Sequence, residues 1–347
     1  DRMFIDAGSS REASNKVPMN RERDVGFNIP GTLSKCHPCR VIMRHRRVGF
    51  APSRIDRGGV SHVIAGTQGE LLILDSKGNP RGGVSTPFPA PTIDGLVLKD
   101  RWIGIWLDRE FRQARMAALP IDEIWGDGVT REELRLSIGS PEGHVVPSNS
   151  IWHRVLDSEP MKMGAFEDNI VFATLSGIYM IDSEANEIWR SPIPRWPAIS
   201  KISQYDNLIS INEFSGGLAV WSQAGGVSVL DPSNGVEIYN RVLEFGDKVC
   251  SVIYSKEAGW LVILHGGTVA VMDKIEGGHS IHKTKGPVMD SEFVDGRWAW
   301  TGWRHDGDLA EGKVRSRRRR NIGVALLGGM VLSNDGTWSD WASLTRT

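Results

Sequence analysis

Cysteine is scarce in this sequence of 347 residues, which contains only Cys36, Cys39 and Cys250. So few cysteines do not form a disulfide framework, and they favour a reducing compartment such as the cytoplasm. Long apolar runs are missing too, since no window approaches the roughly 20 apolar residues of a membrane-spanning helix. The nearest candidate, residues 322–332, is interrupted by two glycines and therefore predicts two strands joined by a tight turn.

Motifs that mark common enzyme classes are also absent. The sequence has no GxSxG, HExxH, Walker A or GxGxxG motif in a suitable context, so nothing in it marks a serine hydrolase, a zinc protease or a nucleotide-binding fold. Outside residues 130–136, helical periodicity is nearly absent. The sequence thus favours an all-β protein that is not an enzyme.

Charge is distributed unevenly along a chain whose formal net charge is −1. Residues 1–57 carry a net charge of +6, and the remaining residues carry −7. The one strongly basic stretch in that acidic remainder is residues 313–320, KVRSRRRR. We expect an acidic monomeric body with two basic extensions, of which residues 1–45 are poorly structured. The chain begins with Asp1 rather than Met, as expected of a fragment or a processed product.

A short pattern recurs at intervals of 42–62 residues. Each copy has four mostly apolar residues, then Asp, then a polar turn. Clear copies end at Asp75, Asp182, Asp231 and Asp273, and degenerate copies lie at residues 116–120 and 330–334. We expect each Asp to accept backbone N–H groups in the turn that follows it.

A second pattern places a large residue at the start of another strand in each unit. The residues that open these strands are Trp102, Ile170, Leu208, Trp260 and Trp298. With 39 glycines to supply turns, each unit predicts a sheet of four short antiparallel strands. Such a sheet cannot bury both of its faces alone, whereas stacking sheets around an axis buries both. We therefore expect a β-propeller with the large residues between its blades.

Six blades are expected, with seven as the alternative if the N-terminal segment adds one. The six predicted blades span residues 46–87, 92–158, 160–197, 198–246, 247–286 and 287–341. They form a single domain over residues 46–347, with inserts at about 124–150 and 306–320.

The segment IYMIDSEANEIW (residues 178–189) resembles the quinoprotein-like (PQQ-like) propeller repeat, and LLILDSKGN and VSVLDPSNGVEIY are similar. WD-repeat propellers are the neighbouring family, although their Gly-His and Trp-Asp signatures do not recur here. The resemblance covers residues 46–341 and implies the architecture without a function. Quinone-dependent dehydrogenases of this family are much longer, and many carry an adjacent cysteine pair that is absent here. We therefore expect no PQQ.

The CHPC motif brings Cys36, His37 and Cys39 together. It could be a redox pair or part of a zinc site, but zinc requires four ligands, and redox motifs of this kind belong to a βαβ unit. We favour an incidental pair and expect no cofactor.

The basic stretches are candidates for binding an acidic partner or nucleic acid. They comprise Arg44, Arg46 and Arg47 near the N-terminus and Lys313, Arg315, Arg317, Arg318, Arg319 and Arg320 near the C-terminus. The alternative is a solvated loop. No aromatic residue interrupts the second stretch, so base stacking is not indicated.

The central channel of a propeller is the other candidate site, because alternate side chains of the innermost strands face it. The expected channel residues are Arg54, Asp94, Lys162, Lys201, Asp290 and Glu292. They could bind a polar ligand, perform acid–base chemistry or neutralise one another. We expect a non-catalytic scaffold that binds a protein on one rim. The alternatives are an enzyme acting on a small polar or carbohydrate substrate in the channel, and a protein that binds an anionic polymer.

Overall fold

Short strands joined by tight turns account for nearly all of the regular structure. The computed structural model describes residues 47–138, 144–201 and 206–341. These residues contain 27 strands and two helices. The strands form seven antiparallel sheets, six with four strands and one with three. In every sheet each strand pairs with the strand before it in the chain.

The first three sheets, in chain order, contain β1 (Pro52–Arg57), β2 (Ser61–Gly66), β3 (Leu71–Asp75) and β4 (Pro80–Ser85); β5 (Thr92–Leu98), β6 (Arg101–Asp108), β7 (Gln113–Pro120) and β8 (Trp152–Val155); and β9 (Pro160–Phe166), β10 (Asn169–Thr174), β11 (Gly177–Ile181) and β12 (Glu187–Ser191). The two helices are α1 (Arg131–Ser137), between β7 and β8, and α2 (Pro197–Ser200), after β12. Neither helix has the length or the apolar character needed to cross a membrane.

The remaining sheets contain β13 (Leu208–Phe214), β14 (Gly217–Ser222), β15 (Gly226–Leu230) and β16 (Glu237–Val242); β17 (Val249–Ser255), β18 (Gly259–Leu264), β19 (Thr268–Met272) and β20 (Ser280–Lys283); β21 (Val288–Val294), β22 (Arg297–Gly302), β23 (His305–Ala310) and β24 (Lys313–Arg318); and β25 (Gly323–Leu327), β26 (Met330–Ser333) and β27 (Trp338–Asp340).

The seven sheets close into a ring around their first strands. Each first strand lies next to the first strand of the following sheet, and β25 lies next to β1. The ends of the described chain also meet, because Arg47 pairs with Thr337 and the N–H of Val48 donates to the carbonyl of Gly336 at 2.9 Å. The domain is therefore a seven-bladed β-propeller. We call the face at which every first strand begins the upper face.

Each blade buries both of its surfaces against its neighbours, as the alternation of side chains along a strand requires. In β2, Val63 packs in one cluster with Trp102 of the second blade, and the adjacent Ile64 packs in another with Leu327 of the seventh. Trp102 is fully buried and meets Trp106 edge-on at 5.4 Å. The expected position of the large residues between blades is confirmed at Trp102.

The Asp turns follow the expected chemistry at Asp75, Asp182 and Asp231, but not at Asp273, whose side chain makes no hydrogen bond within the described residues. Asp75 accepts from the backbone N–H of Lys77 at 2.9 Å and from that of Asn79 at 2.8 Å, and Asp182 accepts from two N–H groups at the same relative positions. Hydrogen bonds, led by the Asn79 and Asn186 side-chain amides, lower the pKa of both carboxyl groups against the opposing effect of desolvation. These turns are thus fixed by the repeated Asp.

The propeller has seven blades, the number that the sequence analysis held as an alternative, but the additional blade comes from the C-terminal region. The segment predicted as one blade, residues 287–341, contains two: β21–β24 and β25–β27. Residues 306–320, predicted as an insert, instead form most of β23 and β24. The run of apolar residues that predicts a buried strand is missing there, because β23 contains two aspartates, Asp306 and Asp308. The sequence analysis also grouped Leu208 with residues such as Trp102, which lie at the start of the second strand of a blade. Leu208 instead begins β13, the first strand of its blade.

The segment between β7 and β8 forms a long excursion from the second blade. It contains α1, which begins with a capping box in which Thr130 and Glu133 bond each other's backbone N–H groups. Leu134 is the buried residue of this helix and packs against the core between the first two blades. The excursion is thereby attached to the propeller.

Candidate functional site

Every innermost strand contains a β-bulge near its start. One extra residue separates the first and third residues of the strand, so the pairing with the second strand shifts there in all seven blades. The extra residues are Ser53, Ile93, Met161, Ile209, Cys250, Met289 and Val324. Because the strands begin at the upper face, the bulges surround that end of the channel and re-aim the residues beside them.

Three of the expected channel residues, Arg54, Asp94 and Lys162, lie directly after the bulges of the first three blades. The guanidinium of Arg54 binds the carboxylate of Asp56 at 2.8 Å and the carbonyl of Thr92 at 3.2 Å. The Asp94 carboxylate lies 3.6 Å from the Lys162 ammonium and accepts from the backbone N–H of Met163 at 2.9 Å. Each of these contacts, except Arg54 with Asp56, joins one blade to the next.

A second charged cluster closes the ring. Asp290 accepts from the backbone N–H of Leu326 at 2.7 Å and pairs with Arg57. Arg57 also donates to the carbonyl of Leu326 at 2.7 Å. One guanidinium of the first blade thus contacts both the sixth and the seventh blades. Sequence reasoning missed Arg57, although its position directly after the buried Asp56 in a first strand was a usable signal.

In the fourth blade the residue after the bulge is uncharged, but it also connects its blade to the next one. The Ser210 hydroxyl donates to the carbonyl of Val252 in the next blade at 3.1 Å. The side chains that are engaged in bonds between blades therefore include Arg54, Asp94, Lys162, Asp290 and Ser210. Such bonds hold the ring, and they occupy the groups that a ligand would need.

Glu292 has a different environment from the other channel carboxylates. It makes no side-chain hydrogen bond within the described residues, and it is half-buried on β21. Burial raises the pKa of its carboxyl group, Arg57 partly opposes that shift, and Asp290 adds to it. A single carboxyl group of this kind does not form the pair of carboxylates used in glycosidic cleavage.

Lys201 does not belong to the channel. It is exposed at the C-terminal end of α2, because the chain after β12 forms a short helix where a strand was expected. The expected metal or redox residues Cys36, His37 and Cys39 lie outside the described residues, as do Arg44 and Arg46. Within the described residues, no group of three metal-ligating side chains is found. The absence of zinc and of PQQ stays a prediction.

Cys250 is the cysteine that the structure describes. Its sulfur lies 3.8 Å from Nδ1 of His265. Partial desolvation and the nearby Asp247 raise the pKa of the thiol, which favours the protonated form. A nucleophilic cysteine needs the opposite shift.

The basic stretch of residues 313–320 is the edge strand β24 and its continuation, and its members differ in role. Arg315 binds the buried Asp308 at 2.7 Å, and Arg319 binds the buried Asp306 at 2.6 Å. The others, Lys313, Arg317, Arg318 and Arg320, are exposed and make no ion pair within the described residues. Charge on an edge strand also prevents pairing with other chains. Arg47, from the N-terminal stretch, lies beside Asp335 and lowers the pKa of that residue as a minor cause after Thr337.

The excursion of the second blade exposes apolar surface. Five large aliphatic side chains between β7 and β8 are exposed by 44–71% of their surface: Ile124, Leu136, Ile138, Val146 and Ile151. Single exposed aliphatic residues are ordinary, but here five of them belong to one excursion.

Comparison with solved structures identifies the same architecture. BamB from Moraxella catarrhalis is 14% identical, with a TM-score of 0.51 and a coverage of 82% of each chain. The WD40 propeller domain of Doa1 is 10% identical over 86% of this chain and 98% of that one, with a TM-score of 0.58. The Cps50 (Swd1) propeller of Myceliophteria thermophila is 10% identical over 85% and 98%, again with a TM-score of 0.58.

The chain has the propeller architecture of the PQQ-like and WD40 repeats. At these identities the likeness concerns the fold alone. No protein-family model and no curated protein sequence matches the chain. The function of this propeller must therefore be inferred from its own surface.

Proposed function

We propose that this propeller is a non-catalytic module that binds a partner protein through the excursion of its second blade. The observation that carries the proposal is the group of exposed aliphatic side chains between β7 and β8, of which Ile124 and Leu136 are each 71% exposed. Burying such side chains against a partner supplies the main driving force of protein association.

The state of the channel supports a binding role over catalysis. Asp94 and Asp290 are engaged by backbone N–H groups and by cations, so they are held in place rather than free to exchange protons with a substrate. Alternating ion pairs of this kind stabilise a ring. The alternative of an enzyme acting on a small substrate in the channel has no comparable supporting geometry.

The experiment compares the partners captured by the wild-type chain and by a double variant, Ile124→Asp with Leu136→Asp. Both side chains are exposed, so the fold should persist, and circular dichroism checks this. The matched control is Val236→Asp with Ile238→Asp, which changes two exposed aliphatic residues of the fourth blade that are each 58% exposed.

The expected result is a partner that the wild type and the control retain and the second-blade variant loses. Equal capture by all three folded proteins would contradict the assignment to the second blade. A multiple-turnover activity on a small substrate that is lost with Glu292→Gln would favour the enzyme.

A further inference from the structure

A cavity at the upper face of the sixth blade is lined by groups that attract an anion. Its volume is about 370 Å³, which lies in the range of sites for small ligands. Its walls come from the loop before β21, the turn between β22 and β23, and the edge strand β24. The lining residues are Lys285, Trp303, Arg304, His305, Ser316 and Arg318, and none of these is acidic.

The three cations of this cavity have no partner in the described part of the chain. Lys285, Arg304 and Arg318 are exposed, and none of them makes an ion pair or a side-chain hydrogen bond there. The neighbouring Arg315 and Arg319, in contrast, are each bound to a buried aspartate. The positive charge of the cavity is therefore not neutralised by the protein around it.

His305 lines the same cavity and contains a buried polar atom without a partner. The residue is 3% exposed, and its Nδ1 lies 3.1 Å from the carbonyl oxygen of Trp303. Because a carbonyl oxygen only accepts, Nδ1 carries a hydrogen. Nε2 has no hydrogen-bond partner in the described structure. A buried ring nitrogen without a partner is unfavourable. In this tautomer Nε2 is an acceptor, so a donor such as the O–H of a monoanionic phosphate monoester would satisfy it.

We propose that this cavity binds a phosphate monoester. Arginine forms paired hydrogen bonds with phosphate oxygens, and lysine adds a compact positive charge. The indole of Trp303, 55% exposed beside these cations, offers an apolar wall for the group that carries the phosphate. A phosphorylated side chain and a phosphorylated small molecule share this chemistry. The site is separate from the excursion of the second blade and does not depend on its role.

The position of the free cations favours one phosphate over a nucleic-acid backbone. Arg317 and Arg318 are consecutive residues of β24, so their side chains leave opposite faces of the sheet. Lys313 lies at the other end of that strand. The unpaired cations thus do not follow a single track along which a polymer would place successive phosphates.

The test is calorimetric titration of the full chain with phosphoserine, phosphotyrosine and AMP, each against its unphosphorylated counterpart. The variants are Arg318→Ala and Arg304→Asn; asparagine suits position 304 because the residue adopts a left-handed backbone with φ of 58°. The matched control is Arg317→Ala, an exposed cation on the other face of the same strand. All variants are checked for an unchanged unfolding temperature.

The proposal expects the monoesters to bind and the unphosphorylated compounds not to bind. Each cavity variant should weaken binding about tenfold, and Arg317→Ala should leave it unchanged. Preference for phosphotyrosine and AMP over phosphoserine would assign an aromatic carrier that stacks on Trp303. Preference for either phosphoamino acid over AMP would assign a phosphorylated side chain.

Three results would overturn the site. The first is the absence of binding by every monoester. The second is equal weakening by Arg317→Ala and Arg318→Ala, which indicates a diffuse basic surface. The third is tighter binding of a single-stranded oligonucleotide without terminal phosphates, with a steep dependence on salt, which indicates polymer binding instead.

Discussion

The carboxylate of Asp94 accepts a hydrogen bond of 2.9 Å from the backbone N–H of Met163, one blade away. Asp290 makes the same contact with Leu326 between the sixth and seventh blades. A side chain directly after the bulge of an innermost strand thus connects that strand to the next one. Closure of the ring depends on these contacts as well as on apolar packing.

Asp94→Ala should destabilise the propeller by about 1–3 kcal/mol, because the substitution leaves the buried N–H of Met163 without an acceptor. Asp94→Asn should cost less, since its amide oxygen can still accept that hydrogen bond. Urea unfolding of the wild type and the two variants measures the difference. If both variants are as stable as the wild type, the contact between blades does not contribute.

Arg319→Ala should destabilise the protein by about 3 kcal/mol or more, because it leaves the fully buried carboxylate of Asp306 without its cation. Arg315→Ala should cost less than about 1 kcal/mol, because the Arg315 side chain is 41% exposed and Arg297 remains 3.4 Å from Asp308. Chemical denaturation of the wild type and both variants measures the two losses of stability. Equal losses would mean that the basic stretch acts as a uniform charged surface.

Asp182→Ala should lower the unfolding temperature at pH 7 by about 2 °C. Hydrogen bonds from Asn186 and the turn backbone lower the pKa of Asp182 in the folded state. A lowered acid pKa gives stability that is present above the unfolded pKa of about 4 and lost as the pH falls through the folded value. The difference from the wild type should therefore shrink towards pH 3.

Asp273→Ala is the matched control for that experiment. Asp273 follows β19 at the same place in its repeat but makes no side-chain hydrogen bond within the described residues. Its replacement should change the unfolding temperature little at either pH. A loss as large as that of Asp182→Ala would show that the hydrogen bonds of the turn are not the cause.

Glu292→Gln should stabilise the protein at neutral pH. Burial raises the pKa of Glu292 in the folded state. A raised acid pKa costs stability as the pH rises from the unfolded pKa through the folded one, and it has no effect below both. The variant should therefore exceed the wild type at pH 7 and match it below about pH 4. Thermal unfolding across this range measures the difference, with the exposed Glu257→Gln as the control.

Local chemistry made much of the fold predictable. The Asp turns and the buried tryptophans could be read from the sequence because they depend on contacts with a few neighbouring residues or on a strong apolar preference. The seventh blade could not, because β23 carries Asp306 and Asp308 where a buried strand normally carries apolar residues. Their burial is compensated by Arg319, Arg315 and Arg297, and sequence spacing does not reveal that pairing.

The candidate sites were predictable only in part. Alternation along the innermost strands correctly placed Arg54, Asp94, Lys162, Asp290 and Glu292 on those strands, but Lys201 lies on a helix. The cavity of the sixth blade was missed, because its residues come from three separated segments. Within the basic stretch of residues 313–320, only Ser316 and Arg318 line this cavity.

The sequence by itself determined the scarcity of disulfides, the repeat of short strands and the turns that join them, because each depends on composition or local periodicity. Only the tertiary structure decided how many blades close the ring and which charges remain free. Those outcomes depend on pairs such as Asp290 with Arg57, which lie far apart in the chain and meet only when the blades assemble. The free cations around His305 became visible once the paired ones had been assigned.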